Sequence, residues 1–324
     1  MKYVYVLTSS INDLYYEQFF LSIVSLRLHN PKACIISLID SKTKESLTGT
    51  RSGYEKYITE ITVINAPESL SQKEVSRWIK TSVNKYVSGD FLYIDCDTVI
   101  AGNLDFNFPS DIKIGAILDT HVPLSKHHLD QHFKAEDKKL NFLSSIETDK
   151  RYNGGIIFCR DTAGSSEFYE KWHTLWQFSL KNGNHHDMPA LNQANYEMGG
   201  IITEISDEWN CQITHNGLPY LSGAKIIHYY ATALNFVTCP FIPASSKVLS
   251  FIKENGTFSD EIMEMLKNPK SAFEQDSRII SGEAELDVVN SKIFSFFLRL
   301  RKKKPAFFKS LNSFIIKIIS KVHS

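Results

Sequence analysis

The sequence predicts an α/β fold, a mostly parallel, Rossmann-like central sheet flanked by helices, with a basic helical tail behind it. Short apolar runs recur at 3–8, 33–39, 61–64, 91–94 and 112–118, and stretches of helical length separate the early ones. That alternation builds a doubly wound parallel sheet. The 324 residues, 43% of them hydrophobic, can bury one large core. The formal charge of zero conceals a split: residues 291–324 hold nine Lys or Arg and no acid, leaving 27 of the 36 basic residues against 36 acidic ones elsewhere. A mildly acidic body with a strongly basic tail is a two-part object.

Taken in order, residues 3–8 read as the first strand, followed by a Ser9-Ser10 turn and a helix whose inner face carries Phe19, Phe20, Ile23 and Leu26. A second strand at 33–39 ends in Asp40, and 42–58 reads as a charged amphipathic helix before the third strand. Residues 71–86 form a helix that delivers the chain to Gly89 and the strand at 91–94. The strand at 112–118 ends in Asp119-Thr-His. The polar, His- and Lys-rich stretch 121–140 then reads as a flexible excursion at the mouth of a site. A turn and strand at 152–159, helices at 164–180 and 188–198, a loop at Trp209-Asn210 and a strand at 224–228 complete the pattern. Three segments are expected: an α/β domain at 1–240, a helical extension at 241–290 and the basic tail at 291–324. Five scattered cysteines (34, 96, 159, 211, 239) without a Cys-x-x-Cys pair fit reduced thiols of a cytosolic protein. The chain enters a strand pattern at once, and no apolar run approaches the length of a membrane span, so it is expected to be neither secreted nor membrane-spanning.

The strand at 91–94 ends abruptly in Asp95-Cys96-Asp97. Its carboxyl end is where open α/β sheets bind ligands. Alternation along extended backbone points Asp95 and Asp97 the same way and Cys96 back into the protein. Two hard oxygen donors make half of a site for Mg²⁺ or Mn²⁺ shared with a substrate diphosphate. An Asp-x-Asp in a polar loop would equally fit a surface turn; the apolar strand before this one separates the two readings. The first βα turn lacks Gly-x-Gly-x-x-Gly, which disfavours a dehydrogenase. A glycine-rich, basic N-terminal signature of a sugar-nucleotide pyrophosphorylase is also missing.

Further motifs follow in a specific order: Arg77 and Lys80 on the helix before the acidic strand, Asn153-Gly154-Gly155, the run His-His-Asp-Met-Pro-Ala-Leu-Asn at 185–192, and His228 at the end of the last strand. Over roughly residues 1–232 this order resembles the retaining, metal-dependent glycosyltransferases of GT-A fold, the glycogenin-like and bacterial lipopolysaccharide galactosyl- and glucosyltransferase group. The resemblance implies Asp95, Asp97 and His228 as metal ligands, the nitrogen donor favouring Mn²⁺ over Mg²⁺, and a UDP-sugar as donor substrate. A core histidine beside Tyr229 and Tyr230 is the competing reading of His228. Arg77 and Lys80, three apart and so on one helix face, are expected at the nucleotide-sugar, with a solvated face as the alternative for Lys80. Asp119 is expected at donor-sugar hydroxyls or, alternatively, in a turn or cap. Gly154 and Gly155 would line the sugar pocket, and Thr8, Ser9 and Asp40 would meet the nucleoside. Cys96 falls inside the donor-binding motif. Asn192 is expected near the reacting carbon, and Asp187 and Asn153 are the candidate catalytic residues; Asp187 also suits a helix N-cap, with Pro189 near the first turn.

Two departures stand out. Met188 and Pro189 replace a Gln and an Asp of the related motif. After His228 the run 229–235 replaces the glycine and lysine that grip the diphosphate in relatives, so that cation must come from Lys225, from 125–139, or be dispensed with. The implied activity is metal-dependent transfer of a hexose from a UDP-sugar, with retention, to a glycan or lipid-linked acceptor of lipopolysaccharide or capsule type. An inverting GT-A transferase and an inactive nucleotide-sugar-binding module are the alternatives.

In the tail, apolar residues at 307, 308, 311, 314, 315, 318, 319 and 322 keep a helical period with Lys309, Lys317 and Lys321 off that face, behind a basic block at 299–304. This predicts a helix on an anionic membrane surface, peripheral on the cytoplasmic side of the inner membrane. A helix docked on its own domain or on a dimer partner is the alternative. No aromatic-basic platform accompanies the tail, and nucleic acid is not an expected partner.

Overall fold

Residues 3–7 show why the N-terminal run becomes a central strand: Tyr3, Tyr5 and Leu7 enter one apolar cluster while Val4 and Val6 enter another. A strand buried on both faces needs apolar side chains at consecutive positions, not alternate ones. The structure, a computed structural model, describes residues 1–230, 245–272, 287–288 and 291–322. Its elements run β1 (Lys2–Leu7), α1 (Tyr15–His29), β2 (Cys34–Asp40), α2 (Ser41–Ser46), β3 (Glu60–Ile64), α3 (Gln72–Lys80), β4 (Phe91–Ile94), β5 (Thr98–Ile100), β6 (Ile114–Leu118), α4 (Asp130–Lys139), α5 (Ser144–Glu147) and β7 (Tyr152–Cys159). They continue with α6 (Ala163–Lys181), α7 (Met188–Glu197), β8 (Ile202–Glu204), β9 (Cys211–Gln212), β10 (Ile226–His228), α8 (Ser246–Asn255) and α9 (Asp260–Lys267). Two tail helices, Lys292–Lys303 and Pro305–Val322, follow.

Seven strands form the central sheet in the order β3-β2-β1-β4-β7-β6-β8. The pairs β1–β2, β1–β4, β2–β3 and β6–β8 are parallel, whereas β7 runs antiparallel to both β4 and β6. The sheet is therefore mostly parallel, as the sequence predicts, with the one reversed strand β7. The reversal has a consequence for the site. Because Leu118 pairs with Tyr152, the whole segment 119–151 stays at the carboxyl end of β6, and β7 begins beside the tip of β4.

One face of the sheet is covered by α1, through Phe19, Phe20, Ile23 and Leu26, and the same cluster takes in Val248, Leu249, Ile252, Ile262 and Leu266 of α8 and α9. The other is covered by α3, α6 and α7, with Ile79, Phe168, Trp172, Trp176 and Leu191 at its centre. Two sequence expectations differ from the outcome. The helix expected over 42–58 stops at Ser46 and gives way to short turns, because Gly49 takes a positive φ of 59° and Arg51 turns inward to pair with the buried Glu17 at 2.9 Å. The excursion 121–140 is not a loop but carries α4, whose inner contacts are polar: Asp137 is fully buried and accepts from Ser144 Oγ and Ser145 N.

Candidate functional site

After β4 the chain leaves the central sheet at Asp95. Residues 98–100 pair instead with β10 in a three-stranded sheet ordered β5-β10-β9, antiparallel, with Thr98 opposite His228. That register carries an imidazole from far along the chain to the acidic pair. His228 Nε2 lies 3.2 Å from Asp97 Oδ1, and ligand atoms of Asp95, Asp97 and His228 all lie within 4.8 Å of one another. The turn is held on three sides: Asp95 N donates to Gly155 O at 2.8 Å, Thr98 Oγ1 to Asp95 O at 2.9 Å, and Tyr229 N to Asp97 O at 3.0 Å. Two carboxylates and a buried imidazole at this spacing fit a borderline divalent cation such as Mn²⁺. Burial alone would lower the His228 pKa, but the adjoining Asp97 carboxylate overrides it and holds the imidazole above its ordinary value. Cys96 points the other way, its thiol donating to Val6 O at 3.3 Å, and burial pushes it well above the usual thiol range.

A second group of charges borders the first. Lys80 Nζ lies 3.3 Å from Asp95 Oδ1 and 3.1 Å from Asp187 Oδ2, and Arg77 Nε lies 3.7 Å from Asp187 Oδ1. Lys80 is buried, not solvated. Burial works against its charge, but Asp187 and Asp95 outweigh that and raise its pKa. Asp187 occupies the N-cap position of α7, yet its carboxylate makes no cap bond and turns to the two cations instead. Although burial would raise the pKa of this carboxyl, Lys80 and Arg77 hold it at about 2. Tyr93 donates to Asp95 Oδ1 at 2.5 Å and completes the cluster.

The third component sits on the early part of β7 and the excursion beside it. Asn153 Nδ2 donates to Asp119 Oδ1 at 3.0 Å and to the Tyr230 hydroxyl at 2.8 Å. Asn153 Oδ1 accepts from Gly155 N at 2.8 Å and from Asn210 Nδ2 at 3.0 Å, and Asn210 Oδ1 faces His228 Nδ1 at 2.9 Å. Asp119 is buried, which would raise its pKa. Hydrogen bonding and charge from His127, with Asn153 and Arg151, hold it instead well below the carboxylate range. A hydrogen-bonded path thus joins His228, and with it the Asp95–Asp97 pair, to Asp119.

Glycine at 155 is a steric requirement. A Cβ there would lie 2.4 Å from His228 Cε1 and 2.9 Å from its Nδ1. Gly155→Ala is expected to displace the imidazole, at a stability cost of about 1–3 kcal/mol and with roughly tenfold or greater loss of Mn²⁺ affinity, checked by urea denaturation and a Mn²⁺ titration. Gly154 is less constrained; a Cβ would meet Asp187 Oδ2 and Lys80 Nζ at 3.4 Å.

Not every expected residue turns its side chain into this space. Asn192 is spent on the backbone, accepting from Tyr152 N at 2.7 Å and donating to Tyr152 O at 3.2 Å and Met188 O at 3.0 Å, so it fixes the start of β7 against α7. Thr8 Oγ1 donates to Gln72 O at 3.2 Å, Ser9 Oγ to Asp13 Oδ1 at 2.6 Å, and Asp40 caps α2 by accepting from the Thr43 amide and hydroxyl. These three bind neighbouring turns together at the strand tips. Conversely, Asn210, Tyr230 and His127 belong to the site although no motif singles them out: Asn210 reads as a loop residue next to Trp209, and His127 as one histidine among several in the excursion 121–140.

No protein-family model matches this chain, and no curated protein matches it in sequence. Its fold does have counterparts among known structures. WbbM, a bifunctional glycosyltransferase in apo form, superposes with a TM-score of 0.53 at 14% identity, over 83% of this chain and 51% of WbbM, so the chain spans about half of that protein's length. The galactosyltransferase LgtC, in complex with donor and acceptor sugar analogs, gives a TM-score of 0.51 at 14% identity over 82% of this chain and 99% of LgtC. The glycosyltransferase GlyE of Streptococcus pneumoniae TIGR4 gives 0.51 at 15% identity over 86% and 66%. Together with the strand order and the reversed β7, these likenesses establish that the chain has the GT-A fold of the glycosyltransferases it is similar to.

Proposed function

We propose that this protein is a metal-dependent glycosyltransferase that moves a hexose from a UDP-sugar, with retention, to a glycan or lipid-linked acceptor. The observation that carries the reading is the meeting of Asp95, Asp97 and His228 at the carboxyl end of β4, brought about by the Thr98–His228 register. When bound, Mn²⁺ or Mg²⁺ would supply positive charge against the developing diphosphate of the leaving UDP. Lys80 and Arg77 add cations beside that position and are the nearest substitutes for the lysine missing after His228; the run 231–235 lies outside the described residues. Asp119, kept ionised, and Asn153 are suited to hold sugar hydroxyls on the β7 side. Asp187 is held by two cations, which makes it a weak nucleophile and a weak base. That favours attack by the acceptor hydroxyl from the side of the departing UDP, with the leaving diphosphate taking the proton. An inverting transferase would need a carboxylate base at the acceptor, and the anomer of the product, read by NMR, separates the two.

The decisive screen uses UDP-sugars without acceptor. At least one UDP-hexose is expected to be hydrolysed only when Mn²⁺ is present; absence of both hydrolysis and UDP binding across the panel would refute the transferase reading.

The tail supports a peripheral position on an anionic membrane, at the cytoplasmic face of an inner membrane. No described helix is long and apolar enough to cross a membrane. Instead Ile293, Phe296, Leu298, Phe307 and Phe314 stand exposed among lysines and arginines with no acid in the segment. Lys292 Nζ contacts Asp130 Oδ1 at 3.2 Å, which ties the first tail helix to α4 beside the candidate sugar pocket, where a lipid-linked acceptor would arrive. Full-length protein is expected to sediment with anionic liposomes and a chain ending at residue 290 to remain in the supernatant; sedimentation of both would remove the tail from this role.

A further inference from the structure

Asn210 is completely buried, and its two hydrogen bonds have a direction that can be read without seeing a hydrogen. A backbone N–H can only donate. Gly155 N sits 2.8 Å from one amide atom of Asn153, so that atom is the oxygen. The Asn210 amide atom facing the same oxygen at 3.0 Å must then be nitrogen, which leaves Asn210 Oδ1 pointing at His228 Nδ1 at 2.9 Å. An oxygen there requires a donor opposite it, so Nδ1 carries a hydrogen, and Nε2 is the ring nitrogen that faces Asp97 Oδ1 at 3.2 Å. The far end of the path agrees, since Asn153 Nδ2 donates to Asp119. The ring is also confined sterically. Tyr230 stacks on it at 4.3 Å and 10°, while Gly155 leaves no space beside Cε1. Tyr230 does so from a left-handed backbone conformation, φ 55°, a strain that local sequence does not call for.

We infer that Asn210 is a positioning residue: the Gly155 amide, acting through Asn153 and Asn210, fixes His228 in the Nδ1–H tautomer and aims Nε2 at the acidic pair as a ready nitrogen ligand. The ligand role rests on the metal-dependent reading above; the tautomer does not. Partners that orient a ligating histidine in this way are generally worth tenfold to a hundredfold in metal affinity.

The test begins with wild-type protein. A long-range ¹H–¹⁵N correlation spectrum of histidine-labelled, metal-free protein at alkaline pH, with the His228 signal assigned by its loss in His228→Gln, is expected to show hydrogen on Nδ1. Asn210→Leu, which removes both bonds at similar size, is expected to lose that preference and to bind Mn²⁺ about tenfold to a hundredfold more weakly in an EPR-monitored titration. Asn210→Asp keeps the acceptor for Nδ1 but sets a carboxylate oxygen against Asn153 Oδ1 and adds a negative charge beside the ring. It is expected to stay within about threefold of wild type for Mn²⁺ even if its thermal midpoint falls. An Nδ1 without hydrogen in the wild type, or Mn²⁺ binding by Asn210→Leu within about twofold of wild type, would overturn the inference. If Asn210→Leu does not fold, the wild-type spectrum decides alone. Failure of the wild type to bind Mn²⁺ would count against the transferase reading, with the tautomer still judged by the spectrum.

Discussion

Asp97→Ala is expected to abolish Mn²⁺-dependent UDP binding, weakening it by at least about a hundredfold, the scale of removing a charge-stabilising ligand worth several kcal/mol. The expectation follows from how the remaining donors are occupied. Asp95 already accepts from Tyr93 at 2.5 Å and lies 3.3 Å from Lys80, so part of its negative charge is answered by the protein. His228 brings no negative charge at all. Without Asp97 the site keeps geometry but loses the anion that faces His228 Nε2 at 3.2 Å. The fold should tolerate the change, because the backbone of the turn is held by Gly155 O, Thr98 Oγ1 and Tyr229 N independently of that side chain. Calorimetry of UDP with and without Mn²⁺ reads the effect. Normal metal-dependent affinity in Asp97→Ala would mean that the cation sits elsewhere.

Lys80→Ala is expected to have the largest effect on stability. Removing one member of a buried ion pair leaves the other charge without compensation, which costs about 3–5 kcal/mol and corresponds to a fall in Tm on the order of 10 °C. Here the stranded group is Asp187, buried and left with Arg77 at 3.7 Å while Asp95 stays close by. The pH dependence has a definite sign. Asp187 has a folded pKa near 2, below its unfolded value, so its contribution to stability is fully present above the ordinary carboxylate range and is lost as pH falls towards 2. The gap between wild type and Lys80→Ala should therefore narrow between neutral pH and pH 3. Replacing both partners, Lys80→Met with Asp187→Leu, should recover only part of the loss, since the apolar pair no longer strands Asp187 but leaves Arg77 without Asp187 and Asp95 without Lys80. Urea denaturation at the two pH values measures all three; a loss under about 1 kcal/mol at neutral pH would place Lys80 in solvent-screened surroundings instead.

Much of this could be read from the chain because the signals were local. The alternation of Tyr3, Val4, Tyr5 and Val6 between two clusters and the apolar run ending in Asp95-Cys96-Asp97 each depend on residues a few positions apart. The orientation of Cys96 towards β1 follows from strand geometry alone. What escaped depends on distant pairing. A fully buried strand such as β7 carries no mark of its direction, and only the return of 119–151 at the carboxyl end of β6 reverses it. The helix α4 has weak apolar periodicity because what it buries is polar, with Asp130 and Asp137 both inside. Lys80 looks like a surface residue on its helix until Asp187, remote in sequence, arrives at 3.1 Å and makes its burial tolerable. Asn210 offers nothing in its neighbourhood to announce that its amide carries the link between Asn153 and His228.

The cation site itself can be addressed with a single spectroscopic measurement. Pulsed EPR of wild-type protein with one equivalent of Mn²⁺ and excess UDP should show nitrogen modulation from one imidazole, together with phosphorus coupling from the diphosphate, and the nitrogen modulation should vanish in His228→Gln. Bound Mn²⁺ without imidazole nitrogen, or with a nitrogen signal untouched by His228→Gln, would contradict the assignment of Asp95, Asp97 and His228 as its ligands.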